Sequence, residues 1–499
     1  EEVYTLELND FYPDELYLNG NQLIMVGDEW GNYQYKDSSY SGDHVIVKIF
    51  DMSKARTDLI EKRTITYDGD YLTSRVVNDT LYMVLNKNPR YWLFDEAEGG
   101  EDLIPRLSEN DGEFEVMAGC TDIHYFPGYK DPNYLIVSAV DLDDYDSVID
   151  NEVFLGSSEN VFASPTNLFV AANKINYGRV ADWDWDYDNS ETLVFKFEID
   201  EGKVEFKDRG RVPGTILNQF SMDQDGDYFR IATTTGTSWS AVNPSANNLY
   251  VLNNEMNTIG SIEGIAPGEK IYSTRFIGDR LYMVTFKQID PFFVIDLTTP
   301  TNPRILGKLK IPGYSDYLHP YDENHILGFG KDVVADEKSN EFAWEQGMKV
   351  ALFDVTDVNN PVQKFMVNIG DRGTESELLE NHKALLFNKV KELLAFPVKL
   401  AEIDTDTGID PKGSTYGDYT FQGAYVYDIN ATDGFTLKGR ITHFDDDDLL
   451  KMGDSWPYSH EKNIQRIIYI GDYVYTISEG MVKAHSMDSL QYINELELE

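Results

Sequence analysis

One eight-residue phrase recurs along this chain at wide intervals. "VNDTLYMV" runs from Val77 to Val84, "IGDRLYMV" from Ile277 to Val284, and "IGDYVYTI" from Ile470 to Ile477. Each copy opens on a Gly-Asp or Asn-Asp pair and continues into alternating apolar and polar residues. That is the grammar of a tight turn feeding a half-buried strand, and its repetition constrains the fold more than any other feature.

The surroundings of the middle copy show a full round. "IYSTRFIG" (271–278) leads to "RLYMVTFK" (280–287), then "FFVIDLT" (292–298), then "RILGKLKIPG" (304–313). Second strands of the same kind begin near Leu23, Leu81, Leu168, Tyr228, Leu281, Ile326, Leu393 and Val474. Third strands ending in an acidic turn follow, such as "VIVKIFDMS" (45–53), "KVALFDVT" (349–356) and "GAYVYDIN" (423–430). Fourth strands close units at 146–156, 361–370 and 490–498.

Eight starts from 23 to 474 cover 451 residues in seven intervals, a period of about 64. Compact WD-type blades take roughly 40–45 residues. Insertions at 87–130, 175–191, 331–347 and 401–420 supply the excess. Four-stranded units in series predict an all-β fold, a β-propeller of antiparallel blades filling 1–499 as one domain. Eight blades fit best, with seven or nine as alternatives and a pair of β-sandwiches as a competing architecture. The opening "EEVYTLEL" (1–8) reads as a fourth strand without its first three, either completing the last blade or left from an upstream unit.

Composition narrows the partners. Asp and Glu number 87 against 42 Lys and Arg, for a formal charge of −45. Nucleic acid and anionic membrane surfaces need clustered cations and are poor partners for such a chain. The 32 Tyr and 26 Phe suit half-buried strands. Cys120 is the single cysteine, which rules out an intrachain disulfide and a thiolate metal cluster. No run of 18 apolar residues is present, and the chain begins without Met, as a mature or trimmed polypeptide would.

The stretch 273–332 has a more specific character. Its phrases "KQIDPFFVIDL" and "LHPYDENHILG", with "ENVFASPTNLFVA" (159–171) and "IIYIGDYVYTISEGMVK" (467–483), resemble the secreted β-propeller-domain proteins of bacteria and archaea, distant relatives of WD repeats. The resemblance covers most of the chain in patches. It implies the propeller fold and an exported, often surface-attached, setting, and it brings no catalytic residues with it.

Several clusters are candidates for chemistry. "DQDGD" sets Asp223, Asp225 and Asp227 at alternate positions around Gly226, and "DTDTGID" sets Asp404, Asp406 and Asp410 around Gly408. Alternating carboxylates beside a turn glycine suit calcium, which takes six to eight oxygen ligands. Neither matches the full EF-hand loop, and a solvated hairpin explains each equally simply. "DWDWDYD" (182–188) is either a rim loop offering rings to a sugar or protein, or a strand with aromatics inward. "DDDD" (445–448) is a charged loop.

His319 and His325 flank Asp322 and Glu323, an arrangement for acid–base work or for a buried bridge between blades. No HExxH or G-x-S-x-G pattern occurs. "NDT" (78–80) and "NAT" (430–432) match the glycosylation acceptor pattern.

The leading expectation is a non-enzymatic extracellular or cell-surface scaffold that binds protein or glycan, with calcium holding its loops. Two alternatives are a polysaccharide hydrolase or lyase using carboxylates at the propeller funnel, and a self-assembling subunit of a surface layer or filament.

Overall fold

Residues that alternate faces bury two stripes when a sheet is covered on both sides, and the second strands here are apolar on both. In a computed structural model, residues 5–8, 10–35, 38–54, 58–89, 103–110, 112–125, 131–177, 185–237, 244–286, 290–335, 343–404, 413–445 and 460–498 are described. They form eight antiparallel sheets in chain order. The second strands are Gln22–Tyr35, Thr80–Lys87, Asn167–Tyr177, Tyr228–Thr235, Arg280–Phe286, His325–Ala335, Leu393–Glu402 and Tyr473–Ile477, one in each sheet. Every start read from the sequence falls in a separate sheet. The chain is all-β, an eight-bladed propeller of four-stranded antiparallel blades, the first of them extended by two further strands. Among the described residues only short 3-10 turns interrupt the strands.

The blades fall into two compact units. One holds residues 1–215 with 252–258, and so the first three blades; the other holds 216–251 with 259–499. Within each unit, consecutive blades share a core. Ile24, Val47 and Ile65 of the first blade meet Leu81, Met83 and Ile136 of the second. In the other unit Leu327, Val350 and Leu352 of the sixth blade meet Phe396, Val398 and Tyr427 of the seventh. Each such side chain contributes about 1.5–3 kcal/mol on burial. The second strands Thr80–Lys87 and Leu393–Glu402 therefore bury nearly every residue, whereas the fourth strand Val362–Ile369 alternates exposed and half-buried positions.

The recurring phrase is a two-residue hairpin turn. Val77 pairs with Thr80, Ile277 with Arg280 and Ile470 with Tyr473. Gly278 and Gly471 take φ of 52° and 60°, while Asn78 and Asp79 take 46° and 59°. Positive φ at the first central residue alone is the II′ pattern, which favours Gly; positive φ at both is I′, which favours Asn and Asp. The acid acts through its backbone. The carbonyls of Asp79, Asp279 and Asp472 accept from the N–H of Leu142, Leu297 and Met487, 2.8–2.9 Å away, just past each third strand. Asn21, Asn324 and Glu392 do the same for Met52, Val355 and Ile429.

The insertions are less loop-like than their composition suggests. The hairpins run into them, to Tyr177↔Trp185 in the third blade, Ala335↔Ala343 in the sixth and Glu402↔Asp418 in the seventh. Within 87–130, strands Arg106–Glu109 and Glu115–Val116 add two outer members to the first blade. Arg63 pins this addition, its Nε donating to Glu109 at 2.7 Å and an Nη2 to the Ser147 carbonyl at 2.8 Å. Residues 5–8 carry no strand, contrary to the expectation of a fourth strand there; Leu6 and Leu8 lie against Phe11, Met25, Ile46 and Phe50 of the first blade. The last blade owns four strands of its own.

Candidate functional site

In the second unit, a cleft of about 540 Å³ opens among the sixth, seventh and eighth blades. The first strand of the sixth blade, Tyr314–Asp322, places Asp316 in it; the second, His325–Ala335, places Lys331; the third, Ala343–Asp354, places Glu345. The seventh blade adds Lys399 and Gln422, and the approach to the eighth adds His460, Asn463 and Gln465.

Two 3-10 turns between the sixth and seventh blades build the acidic rim. Ser376 caps the turn Glu377–Leu379, accepting from Leu378 N at 3.3 Å, and its hydroxyl donates to the Pro397 carbonyl at 2.5 Å. Leu378 anchors this segment in the core, so Glu375, Glu377 and Glu380 are presented to the cleft. Glu375 also pairs backbone to backbone with Lys399, its N–H donating at 2.9 Å and its carbonyl accepting at 2.8 Å. Gln422 and Ile464 exchange two bonds of 3.0 Å and tie the approach to the eighth blade onto the seventh.

The two lysines are committed inward. Lys331 Nζ donates to the Thr374 carbonyl, and Lys399 Nζ lies 4.0 Å from the Tyr419 ring centre. Burial lowers both ammonium pKa values, with nearby carboxylates, Glu375 among them, resisting. Glu345 accepts from the Tyr314 hydroxyl at 2.6 Å. Asp316 differs from its neighbours. It is densely surrounded by protein yet still touched by solvent, and it makes no hydrogen bond or ion pair with any described residue. Burial pushes its carboxyl up to about 7; Lys331 and Lys270 oppose the rise, and Glu345 and Glu380 add to it.

The calcium candidates are placed elsewhere. Asp223 and Asp225 lie on the first strand of the fourth blade, Met222–Asp225, and face buried Arg230 on the second. Arg230 Nε donates to Asp223 at 2.8 Å and Nη1 reaches Asp225 at 3.5 Å. Their spacing is thus the period of a strand, with Arg230 as the facing cation; burial raises the Asp223 pKa and Arg230 opposes it. Asp227 is exposed in the two-residue turn with Gly226, whose φ is 55°. Asp404 is exposed just past Leu393–Glu402, and Asp406 and Asp410 lie outside the described residues. Among the described residues no three His, Cys, Asp or Glu converge as a metal site. Part of 182–188 and all but Asp445 of 445–448 also lie outside them.

The histidine pair is divided. His325 Nδ1 sits 2.9 Å from Asp322, whose other oxygen accepts from Lys389 at 2.9 Å. Burial works against the Asp322 carboxylate, but Lys389, the Asn324 N–H and His325 hold it at about 2. His319 bonds the Tyr317 hydroxyl at 3.0 Å and lies edge-on to Phe387. Burial, aided by Arg275 and His382, takes its pKa down to about 4. Both histidines are thereby bound into the packing of the sixth blade.

Asp316, in "YSDY", was not singled out by sequence reasoning, since a lone acid on an apolar strand has no pattern around it. The lysines did leave a signal. Lys87, Lys174, Lys287 and Lys399 each follow their leading Leu by six residues, and Lys331 follows Ile326 by five. Lys87 pairs with Asp68, Lys174 with Glu191 and Lys331 with the Thr374 carbonyl, while Lys399 lies over the Tyr419 ring and Lys287 is outside the described residues.

Consecutive blades that share cores within each unit, with the same turn-to-strand backbone bond recurring from blade to blade, define a β-propeller protein. The chain belongs to the beta propeller domain family, whose model matches residues 1–490. An uncharacterized protein of Methanocaldococcus jannaschii is 26% identical over all of this chain and 70% of its own length. A second, from Archaeoglobus fulgidus, is 32% identical over 62% of this chain, and the match takes in only 39% of that protein. Among solved structures, the C-terminal WD40 domain of Sif2 aligns with 67% of this chain and 69% of its own, at 11% identity and a TM-score of 0.29. The Neurospora crassa Pan2 WD40 domain aligns with 66% and 76%, at 7% identity and 0.32. Neither likeness is close enough to transfer a role.

Proposed function

We propose that this propeller is a non-enzymatic scaffold, exported to the cell surface, that binds partner proteins through basic segments seated in the cleft of the sixth to eighth blades. Propeller domains commonly mediate protein interaction. The observation that carries the reading is the cleft itself: Asp316, Glu345, Glu375, Glu377, Glu380 and Glu479 line it, while its two lysines are turned into the protein. A carboxylate-walled cleft steers and holds lysine or arginine side chains. Among the described residues no Trp, Tyr or Phe lines the cleft, so what lines it there is carboxylate rather than ring, which supports a basic peptide over a glycan as the ligand. The carboxylates do not converge on one point, which favours an extended organic cation over a metal ion in this cleft. Calcium at Asp404, Asp406 and Asp410 belongs to the proposal on spacing alone.

A labelled octalysine peptide tests the cleft by fluorescence anisotropy. A chain this acidic attracts any polycation, so the comparison is between variants of equal charge. E375Q/E377Q/E380Q should weaken binding about tenfold or more, given roughly 1 kcal/mol per desolvated charge contact. E198Q/E205Q/D208N, on the third and fourth strands of the third blade and not among the residues lining the cleft, should change it less than twofold. Equal losses in both would show diffuse attraction and remove the cleft reading.

A further inference from the structure

Asp316 is the one half-buried carboxyl on the cleft wall, and it has no hydrogen-bond partner among the described residues; the other lining carboxyls, Glu375 and Glu380 among them, are exposed to solvent. Glu345 has the Tyr314 hydroxyl, and Glu377 has Arg466 at 3.6 Å. Ser376 and Gln422, both buried, have their backbone partners. Asp316 stands on the wall of a cavity with no described hydrogen bond. The charged groups facing it are Lys270 from the fifth blade, Lys331 and Glu345 from its own blade, and Glu380 from the 3-10 segment. The Tyr314 hydroxyl, given to Glu345, adds no donor to it. A half-enclosed carboxyl without a protein donor is costly to ionise, and a cation brought into the cleft relieves that cost.

We propose that Asp316 is the recognition residue for a ligand ammonium group, and that the cleft takes up this cation in exchange for the proton on the Asp316 carboxyl. The exchange is balanced: the acid and the ammonium enter as COOH and NH3+, the bound pair is COO− with NH3+, and one proton leaves to solvent. This rests on the cleft reading above and adds to it a residue and a proton linkage. Lys331 does not replace the ligand: its Nζ donates to the Thr374 carbonyl and makes no hydrogen bond or ion pair with Asp316. The free site is then neutral at Asp316 near and below pH 7, the position set by burial and by Glu345 and Glu380. Basic ligands consequently bind more tightly as pH rises through that range, and the gain ends once Asp316 is ionised without them.

Titration calorimetry of octalysine at pH 6, in two buffers of different ionisation enthalpy, counts the protons released. About one proton per cleft is expected, with affinity rising about 20-fold from pH 5.5 to pH 7.5. D316N should release none and show a flat profile. E380Q keeps Asp316 but removes a neighbouring negative charge, so its profile should shift to lower pH. Cleft-dependent binding with no proton release and a flat profile in the unmodified protein would overturn the exchange while leaving the cleft reading in place. Failure of the cleft variants to weaken binding would instead remove the reading itself.

Discussion

At the scale of single residues, two carboxylates show how context decides chemistry. Asp223 and Asp316 both lie on first strands, and burial raises both. Asp223 faces Arg230 across its hairpin, so its charge is answered within seven residues of sequence. Asp316 is answered by nothing comparable. The sign of its effect on stability follows. Its folded pKa, about 7, is above the ordinary carboxylate value, so the native chain keeps a proton that the unfolded chain loses near pH 4. The native state is thus unpenalised below about pH 4, loses stability as pH rises from there to about 7, and is level beyond. Comparing urea midpoints at pH 4.5 and 7.5, D316N should gain on the unmodified protein at the higher pH by about 1–2 kcal/mol, after discounting for the solvent that reaches the site. An unchanged difference between the two proteins at both pH values would show that Asp316 is ionised throughout.

At the scale of elements, the repeated turn is the unit that the sequence spells and the structure uses. Its glycine supplies positive φ and its acid supplies a carbonyl to the end of the third strand, so each copy locks two hairpins of one blade. A Cβ at Gly278 would meet nothing within 4 Å, so the cost of replacing it is backbone strain alone. G278A and G278N should each destabilise the second unit by about 1–2 kcal/mol in chemical denaturation, because the first central position of a II′ turn suits Gly rather than either side chain. A clearly smaller loss for G278N would mean that the turn takes the I′ form instead, in which Asn is at home. The same repeat was readable because turn chemistry and period-two alternation are local. The lengths of the hairpins were not, since strands entering 175–191, 331–347 and 401–420 are polar and look like loops until a partner strand pairs with them.

At the scale of the whole molecule, a charge of −45 is a uniform repulsive load on the native state. Sodium chloride raised from 20 to 300 mM should increase the Tm by several degrees, because screening shortens the reach of that repulsion from about 20 Å to under 10 Å. Calcium chloride at matched ionic strength should raise the Tm further if Asp404, Asp406 and Asp410 bind the ion, and EGTA should reverse only that extra rise. Identical curves in the two salts would leave screening as the whole effect and remove calcium from the proposal.

The sequence alone favoured eight blades over seven or nine and marked the position of each second strand and the turns that punctuate them. Strand periodicity, positive-φ turns and an apolar phrase recurring about every 64 residues are written within a few neighbouring positions. Tertiary structure decided which charges are answered. Arg230 takes Asp223, Lys389 takes Asp322 across 67 positions, and Lys331 is drawn to Thr374 across 43. Asp316 is left open to the cleft by the same packing. A charge is silent or available according to what the folded chain brings within hydrogen-bond reach, and that distance is set between blades, beyond the range of any local pattern.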